Sequence, residues 1–158
     1  MPDKLNYDIN KTCAFTGHRI LYDAIDYSLL KELIEGFIKG GYEIFLNGMA
    51  RGFDLIAAQA VCELKEVYPN IKLVACIPCP SQDGKFTAEE KEKYQYVLSK
   101  CDSKILLSDH YFNGCMLMRN RFLVDNSSML IAYLRQKRGG TFYTVKYAEE
   151  KGKKIYKY

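Results

Sequence analysis

Short apolar runs alternate with amphipathic stretches along the 158-residue chain, most of them bounded by glycine, proline or asparagine. Thr12-Cys-Ala-Phe-Thr16 is a β-like run closed by Gly17. From Asp26 to Lys39, Leu29, Leu30, Leu33, Ile34, Phe37 and Ile38 recur at helical spacing and predict one apolar helix face, which Gly40-Gly41 ends. Tyr42 to Leu46 reads as a second strand. Asp54 to Tyr68 reads as a helix with Ile56, Ala60, Leu64 and Val67 on one side, stopped by Pro69-Asn70. Ile71 to Ile77 is a third strand. Thr87-Ala-Glu-Glu90 is a capping-box signature, and the helix behind it is expected to bury Tyr94, Val97, Leu98 and Cys101. Ser103 to Leu107 predicts a fourth strand, Cys115 to Asp125 a short helix, and Ser128 to Leu134 a fifth strand. Gly139-Gly140-Thr141 opens a last helix that runs to about Glu150, and Lys153 to Tyr158 reads as a closing edge strand with its lysines in solvent.

Strand and helix in strict alternation predict an α/β fold of right-handed βαβ units, a mostly parallel sheet with helices on both faces. At this length, residues 1–158 are expected to form a single three-layer domain. Ligands of such sheets bind outside the carboxyl ends of the strands, where the strand order reverses. That rule directs attention to Thr16–Leu21, Asn47–Asp54, Pro78–Gly84, Ser108–Asn120 and Gln136–Thr141.

Composition excludes several classes. Hydrophobic residues make up 48% and charged residues 27%, a globular mix that rules out disorder. The formal net charge of +4 is too small to imply nucleic acid by itself. The longest uncharged stretch, Leu73 to Gln82, is interrupted by Pro78 and Pro80, so no transmembrane helix is expected. Met1-Pro2-Asp3-Lys4 has no apolar run behind it, so the expectation is a cytoplasmic protein without a signal peptide. The six cysteines lie in apolar segments, which favours reduced, mostly buried thiols over a disulfide framework. Cys76-Ile-Pro-Cys79 closes an apolar run instead of opening a helix, and it has no further ligands near it in sequence. Its spacing is read as incidental, and no metal site is expected.

The unusual residues sit in the loops after the strands. In Thr16-Gly17-His18-Arg19, glycine allows close backbone approach and arginine offers a fork for phosphate or carboxylate. In Asn47-Gly-Met-Ala-Arg-Gly-Phe-Asp54, two glycines permit a turn whose amides face an anion, and Arg51 is the residue expected to contact it. Asp54 is either a site residue or the cap of the following helix. Gly140 and Thr141 present amides and a hydroxyl at a helix N-terminus, with Thr141 as the candidate cap. Met118-Arg119-Asn120-Arg121 places two arginines on diverging faces. One is expected to reach a ligand and the other to pair with Asp125. Neither histidine has an evident nucleophile partner. Tyr143, Tyr147, Tyr156 and Tyr158 among Lys146, Lys151, Lys153 and Lys154 read either as a nucleic-acid surface or, more simply, as core packing with a protected sheet edge.

Phe15-Thr-Gly-His-Arg19, Gly48-Met-Ala-Arg-Gly-Phe-Asp54 and Gly139-Gly-Thr-Phe-Tyr-Thr-Val-Lys-Tyr-Ala148 resemble the SLOG superfamily of Smf/DprA and LOG proteins, and the resemblance is greatest to its YpsA-like branch. Ile77-Pro-Cys79 with Gln82, and Gly114-Cys-Met-Leu-Met-Arg-Asn-Arg121 with Val124-Asp125, resemble that branch's middle motifs. The resemblance implies a Rossmann-like fold and a pocket for a nucleotide or nucleotide-derived ligand of the ADP-ribose or NAD kind. That pocket would be lined by Thr16, Gly17, His18, Arg19, Gly48, Arg51, Asp54, Arg119, Asn120, Gly140 and Thr141. LOG-type phosphoribohydrolases are similar but carry Pro-Gly-Gly-x-Gly-Thr-x-x-Glu. Here the run is Arg138-Gly-Gly-Thr-Phe-Tyr-Thr-Val, without the proline, the second Gly-Thr or the glutamate, which argues against glycosidic hydrolysis. Ser81 and Phe86 stand where the branch often has glycine and tryptophan.

The expected function is therefore binding or sensing of a nucleotide-derived small molecule, with a homo-oligomer or partner protein conveying the signal. No cofactor is required beyond a bound nucleotide. The alternatives are a nucleotide N-glycosidase, in which Asp54 or Asp125 assists the leaving base, and a single-stranded DNA binder of the DprA type, which predicts steep salt dependence.

Overall fold

A computed structural model describes residues 5–158; Met1–Lys4, on which the expectation of an unsignalled start rests, lie outside the described residues. Six strands, β1 Thr12–Gly17, β2 Ile44–Asn47, β3 Lys72–Ile77, β4 Ser103–Leu106, β5 Met129–Tyr133 and β6 Lys154–Lys157, form one sheet. Five helices connect them: α1 Tyr27–Lys39, α2 Phe53–Val67, α3 Ala88–Lys100, α4 Cys115–Asp125 and α5 Gly139–Glu150. The spatial order is β4-β3-β2-β1-β5-β6, and every pairing is parallel. The architecture is the α/β, Rossmann-like one the alternation predicts.

The chain steps outward from β1 to β4 and then returns to the other side of β1, so the order reverses between β1 and β5. There Thr16 lies opposite Ala132 and Gly17 opposite Tyr133. Helices α1, α2 and α3 cover one face around Phe15, Phe45, Phe53 and Leu73, while α4 and α5 cover the other around Ala14, Leu46, Val74 and Leu130. Central strands buried on both faces explain why β1 and β2 read as continuous apolar runs with no alternation. The edge strand β6 exposes Lys154, Tyr156 and Lys157, whose charges oppose further strand pairing.

Element ends match the sequence reading to within a residue or two, and Thr87 with Glu90 forms the anticipated capping box. The apolar face of α2 differs. Val67 is 66% exposed, while Phe53, Leu55, Ala57, Ala58, Ala60, Val61 and Leu64 are buried. The helix is wedged between the sheet, α1 and α3, so it buries a wide arc, and its last turn overhangs into solvent. Cys13, Cys76, Cys79 and Cys115 are buried free thiols, and Cys62 and Cys101 are half-buried free thiols. None of the helices among the described residues is long and apolar enough to cross a membrane.

Candidate functional site

The turn between β2 and α2 is built on polar groups that the chain buries. Asn47 Nδ2 donates to the Asp54 carbonyl at 2.8 Å, and Asn47 Oδ1 accepts from the Met49 amide at 2.8 Å, which closes the turn from within. Met49 is held at φ +60°, a strained left-handed conformation for a side chain of its size, while its thioether sits in the core. Gly52 at φ +81° then caps α2, so Asp54 is not the helix cap but lies inside the first turn. A Cβ on Gly52 would stand 2.4 Å from the Arg19 carbonyl oxygen. One on Gly17 would stand 2.5 Å from the ring of Phe53. The loop after β1 is thus pressed against the start of α2, and both glycines are required by that contact.

Arg119 reaches across from α4 and is 4% exposed. Its Nη1 donates to the Gly48 carbonyl, which also accepts from Gln82 Nε2 at 2.9 Å, and its Nε donates to Asn120 Oδ1 at 2.8 Å. A Cβ on Gly48 would overlap the guanidinium at 2.7 Å, so glycine there is what admits the arginine. Asp54 Oδ2 accepts from the Ala50 amide at 3.3 Å. Asp54 Oδ1 and Gln82 Oε1 are buried and have no partner among the described residues. Burial pushes the Asp54 carboxyl up to about 6, against the opposing pull of the Arg119 cation, and burial likewise lowers Arg119. Asn120 Nδ2 lies 3.9 Å from where a Cβ on Gly140 would be, which brings α4 up to the start of α5.

Three helices, α2, α4 and α5, begin at the carboxyl end of the sheet with no side chain capping them. In α2 and α4 the first amide is taken by a backbone carbonyl, Phe53 donating to His18 at 3.3 Å and Cys115 to Phe112 at 3.1 Å, so the amides open to an anion are the remaining ones of the first turns. Thr141 is not the cap of α5; Arg138 holds that position, and Thr141 is buried within the first turn. Thr16 is buried at the end of β1 and, by strand alternation from Ala14, faces the α4–α5 layer.

The structure thus brings together Gly48, Asp54, Arg119, Asn120 and Gly140, with Gln82 and Asn47 as members absent from the sequence-derived set. Thr16, Gly17, His18 and Arg19 approach from β1, and Arg19 is exposed. Two candidates lie elsewhere. Arg51 is clasped by Glu90 at the start of α3, with Nε to Oε2 at 3.0 Å and Nη2 to Oε1 at 2.9 Å. Asp125 is exposed at the far end of α4 and accepts from the Tyr147 hydroxyl at 2.7 Å. Arg121 does not pair with it but donates to the Tyr143 hydroxyl, its guanidinium 5.3 Å from the ring centre. The tyrosine stripe is split: Tyr143 and Tyr147 embrace Arg121, whereas Tyr156 and Tyr158 pack on Phe37 and Phe53.

Tyr133, read from sequence only as a strand residue, is a hub. Its hydroxyl accepts from the Tyr22 and Asp23 amides at 3.0 and 3.2 Å and donates to the Asp23 carboxylate, while its ring stacks on Phe53. The same carboxylate accepts from Arg135 Nε at 3.1 Å. A tyrosine ending a central strand beside a glycine turn was the available signal.

Comparison with known proteins agrees with this architecture. The UPF0398 protein of Bacillus thuringiensis strain Al Hakam is 27% identical over 126 residues, covering 78% of this chain and 68% of its own length. That of Bacillus cereus strain ATCC 14579 is 28% identical over 133 residues, covering 82% and 72%. Among solved structures, DNA processing protein A (DprA) from Streptococcus pneumoniae superposes with a TM-score of 0.64 at 18% identity over 92% of this chain, and the chain spans 49% of that protein. DNA processing protein A from Helicobacter pylori, described by its single-stranded DNA binding mode, gives 0.63 at 19% identity, and the chain spans 63% of it. The protein TM1055 gives 0.58 at 17% identity. The family profile named YpsA, described as the YspA SLOG family, matches residues 7–158, and the chain belongs to that family.

Proposed function

We propose that residues 1–158 act as a single SLOG domain that binds or senses a nucleotide-derived ligand at the carboxyl edge of the sheet. The observation that supports this is a buried arginine flanked by two unpartnered buried acceptors, Asp54 Oδ1 and Gln82 Oε1, beneath three uncapped helix N-termini. Buried polar atoms without partners are costly, and a ligand that supplies donors removes the cost. On this reading the open amides and Arg19 take phosphate, and Arg119 with the orphan acceptors meets the ribose side. Ile20 and Tyr22, 74% and 50% exposed, give the crevice an apolar lip for a base. ADP-ribose and NAD carry all three parts.

The test is a thermal-shift scan of the chain with ADP-ribose, NAD, AMP and a short single-stranded oligonucleotide. A ligand at about 100 times its Kd stabilises by about 2.7 kcal/mol, and at about 2–4 °C per kcal/mol the melting temperature rises by about 5–10 °C. A rise with ADP-ribose or NAD supports the reading; a rise with the oligonucleotide alone moves the function to single-stranded DNA binding. Asp54 supports a second reading, hydrolysis of a nucleotide N-glycosidic bond, because a carboxyl titrating near 6 is poised to pass a proton to a departing base. Release of adenine from AMP, lost in Asp54→Asn, is the outcome that reading requires.

A further inference from the structure

The two loops that flank the strand-order reversal are joined through one imidazole ring. His18 Nε2 lies 2.8 Å from the Arg135 amide nitrogen and 3.3 Å from that of Gln136. Both are N–H donors, so Nε2 accepts from both and carries no proton. The ring is the neutral form protonated at Nδ1. Consecutive amides turned toward one acceptor form a concavity of positive potential, and here the ring nitrogen fills it. The ring is fixed on its other sides by edge contacts to Tyr22 at 4.9 Å and Tyr133 at 5.8 Å. The backbone of the same residue is anchored too: the His18 carbonyl accepts from the Phe53 amide at 3.3 Å, and the His18 amide donates to the Tyr133 carbonyl at 3.4 Å.

We propose that His18 is a positioning residue of the ligand site: its bare Nε2 docks the loop after β1 onto the loop after β5, and a proton on that nitrogen undocks them. A protonated ring has a donor where the two amides need an acceptor, and its charge faces their positive ends. The groups around it bias the equilibrium the same way. Burial, and then the Arg135 cation, hold His18 below the ordinary histidine value. Asp23, the nearest carboxylate of this network, is already engaged by Tyr133 and Arg135 and is not free to stabilise an imidazolium. The sign follows. The docked state resists protonation, so it is fully favoured above the ordinary histidine range and loses stability as the pH falls through that range toward the lower docked-state value.

The inference rests on the proposed ligand site for its functional consequence but is tested without a ligand. In the full chain, the ring nitrogens of His18 and the amides of Arg135 and Gln136 are followed by nitrogen-resolved NMR from about pH 8 to about pH 5, the window in which histidine titrates. The expected result is an unprotonated Nε2 at the upper end, with both amides shifting at the His18 midpoint and losing exchange protection below it. His18→Gln offers an amide oxygen in place of Nε2, so the two amides stay protected and become insensitive to pH; in His18→Leu they are unprotected throughout. A proton on Nε2 at the upper pH, or amides indifferent to the His18 midpoint, overturns the assignment.

The binding arm uses ADP-ribose. Wild-type affinity is expected to fall by up to about tenfold per pH unit below the midpoint. The His18→Gln affinity does not follow that midpoint, which separates His18 from the titration of Asp54 nearby. Affinity that instead rises on protonation identifies His18 as a direct anion contact and refutes the positioning role. No ADP-ribose binding at any pH, with the amide result intact, refutes the ligand reading alone.

Discussion

Replacing Arg119 by Met isolates the electrostatics of the buried cluster. The variant loses charge-assisted hydrogen bonds to the Gly48 carbonyl and to Asn120. Gly48 keeps Gln82 as a donor, and methionine refills much of the volume, so the direct loss is about that of a single charge-assisted bond, about 2–3 kcal/mol. The second part passes through Asp54, which loses the only cation acting on it in this cluster. That part has a ceiling, because a stranded carboxylate can take up a proton. With a carboxyl that titrates at about 6, ionisation lowers the free energy of the folded wild type by about 1.4 kcal/mol at pH 7, and by almost nothing at pH 5, relative to the same fold held protonated. The larger gain of the unfolded chain is common to wild type and variant and cancels in their difference. Arg119→Met can forfeit at most that amount. The expected destabilisation is therefore about 4 kcal/mol at pH 7 and about 2.5 kcal/mol at pH 5.

Urea unfolding of wild type and variant at the two pH values measures both numbers. The gap between them carries the argument, since packing losses do not depend on pH. In an Asp54→Asn background the gap should vanish. Equal penalties at both pH values, or a larger one at pH 5, would refute the claim that Arg119 holds Asp54 ionised.

Three further outcomes follow from the same contacts. Gly52→Ala places a Cβ 2.4 Å from the Arg19 carbonyl oxygen at a left-handed φ, and should cost about 3 kcal/mol in chemical unfolding, whereas Gly84→Ala, with nothing near its Cβ position, should cost less than 1 kcal/mol. Tyr133→Phe removes the acceptor of the Tyr22 and Asp23 amides. It should lose about 1–2 kcal/mol, with faster hydrogen exchange confined to those two amides and their neighbours. Arg19→Ala should weaken ADP-ribose binding by about 10- to 100-fold in calorimetry; Arg51→Ala should weaken it less, because Glu90 already holds the Arg51 fork.

Periodicity made the strands and helices legible because a parallel sheet buried on both faces writes itself as short apolar runs, and its helices write a 3.6-residue stripe. That the loops after the strands share one edge was legible for the same reason, since the strands are parallel. Side-chain partnerships were not. Arg51 and Glu90 are far apart in sequence and meet only because α2 and α3 pack side by side. Arg119 and Arg121 look alike in sequence, yet one enters the interior and the other lies on tyrosine rings, since residues two apart on a helix diverge. Asn47 and Gln82 stand within the motifs after β2 and β3, yet only the tertiary fold shows that both are buried.

That burial bears on why the cluster exists. Asp54, Arg119, Gln82 and Asn47 occupy interior space, and a buried ionic cluster replaced as a whole by well-packed aliphatic side chains is often no less stable, although removing one partner alone is costly. Two of their acceptors are unpartnered, and Met49 beside them is held in a strained conformation. None of these features helps the sheet to form: β2 pairs with β1 and β3 through its backbone, and Phe15, Phe45 and Phe53 pack below the turn. A cost localised to one turn, at the strand ends beside the reversal of strand order, is what a preorganised polar site requires and what folding alone does not. If Asp54→Asn and Arg119→Met together cost no more than the lost Arg119 hydrogen bonds, about 2–3 kcal/mol, while ADP-ribose affinity collapses, the cluster is retained for the ligand. If affinity survives intact, the cluster is an unexplained burden on the fold and the binding site lies elsewhere on that edge.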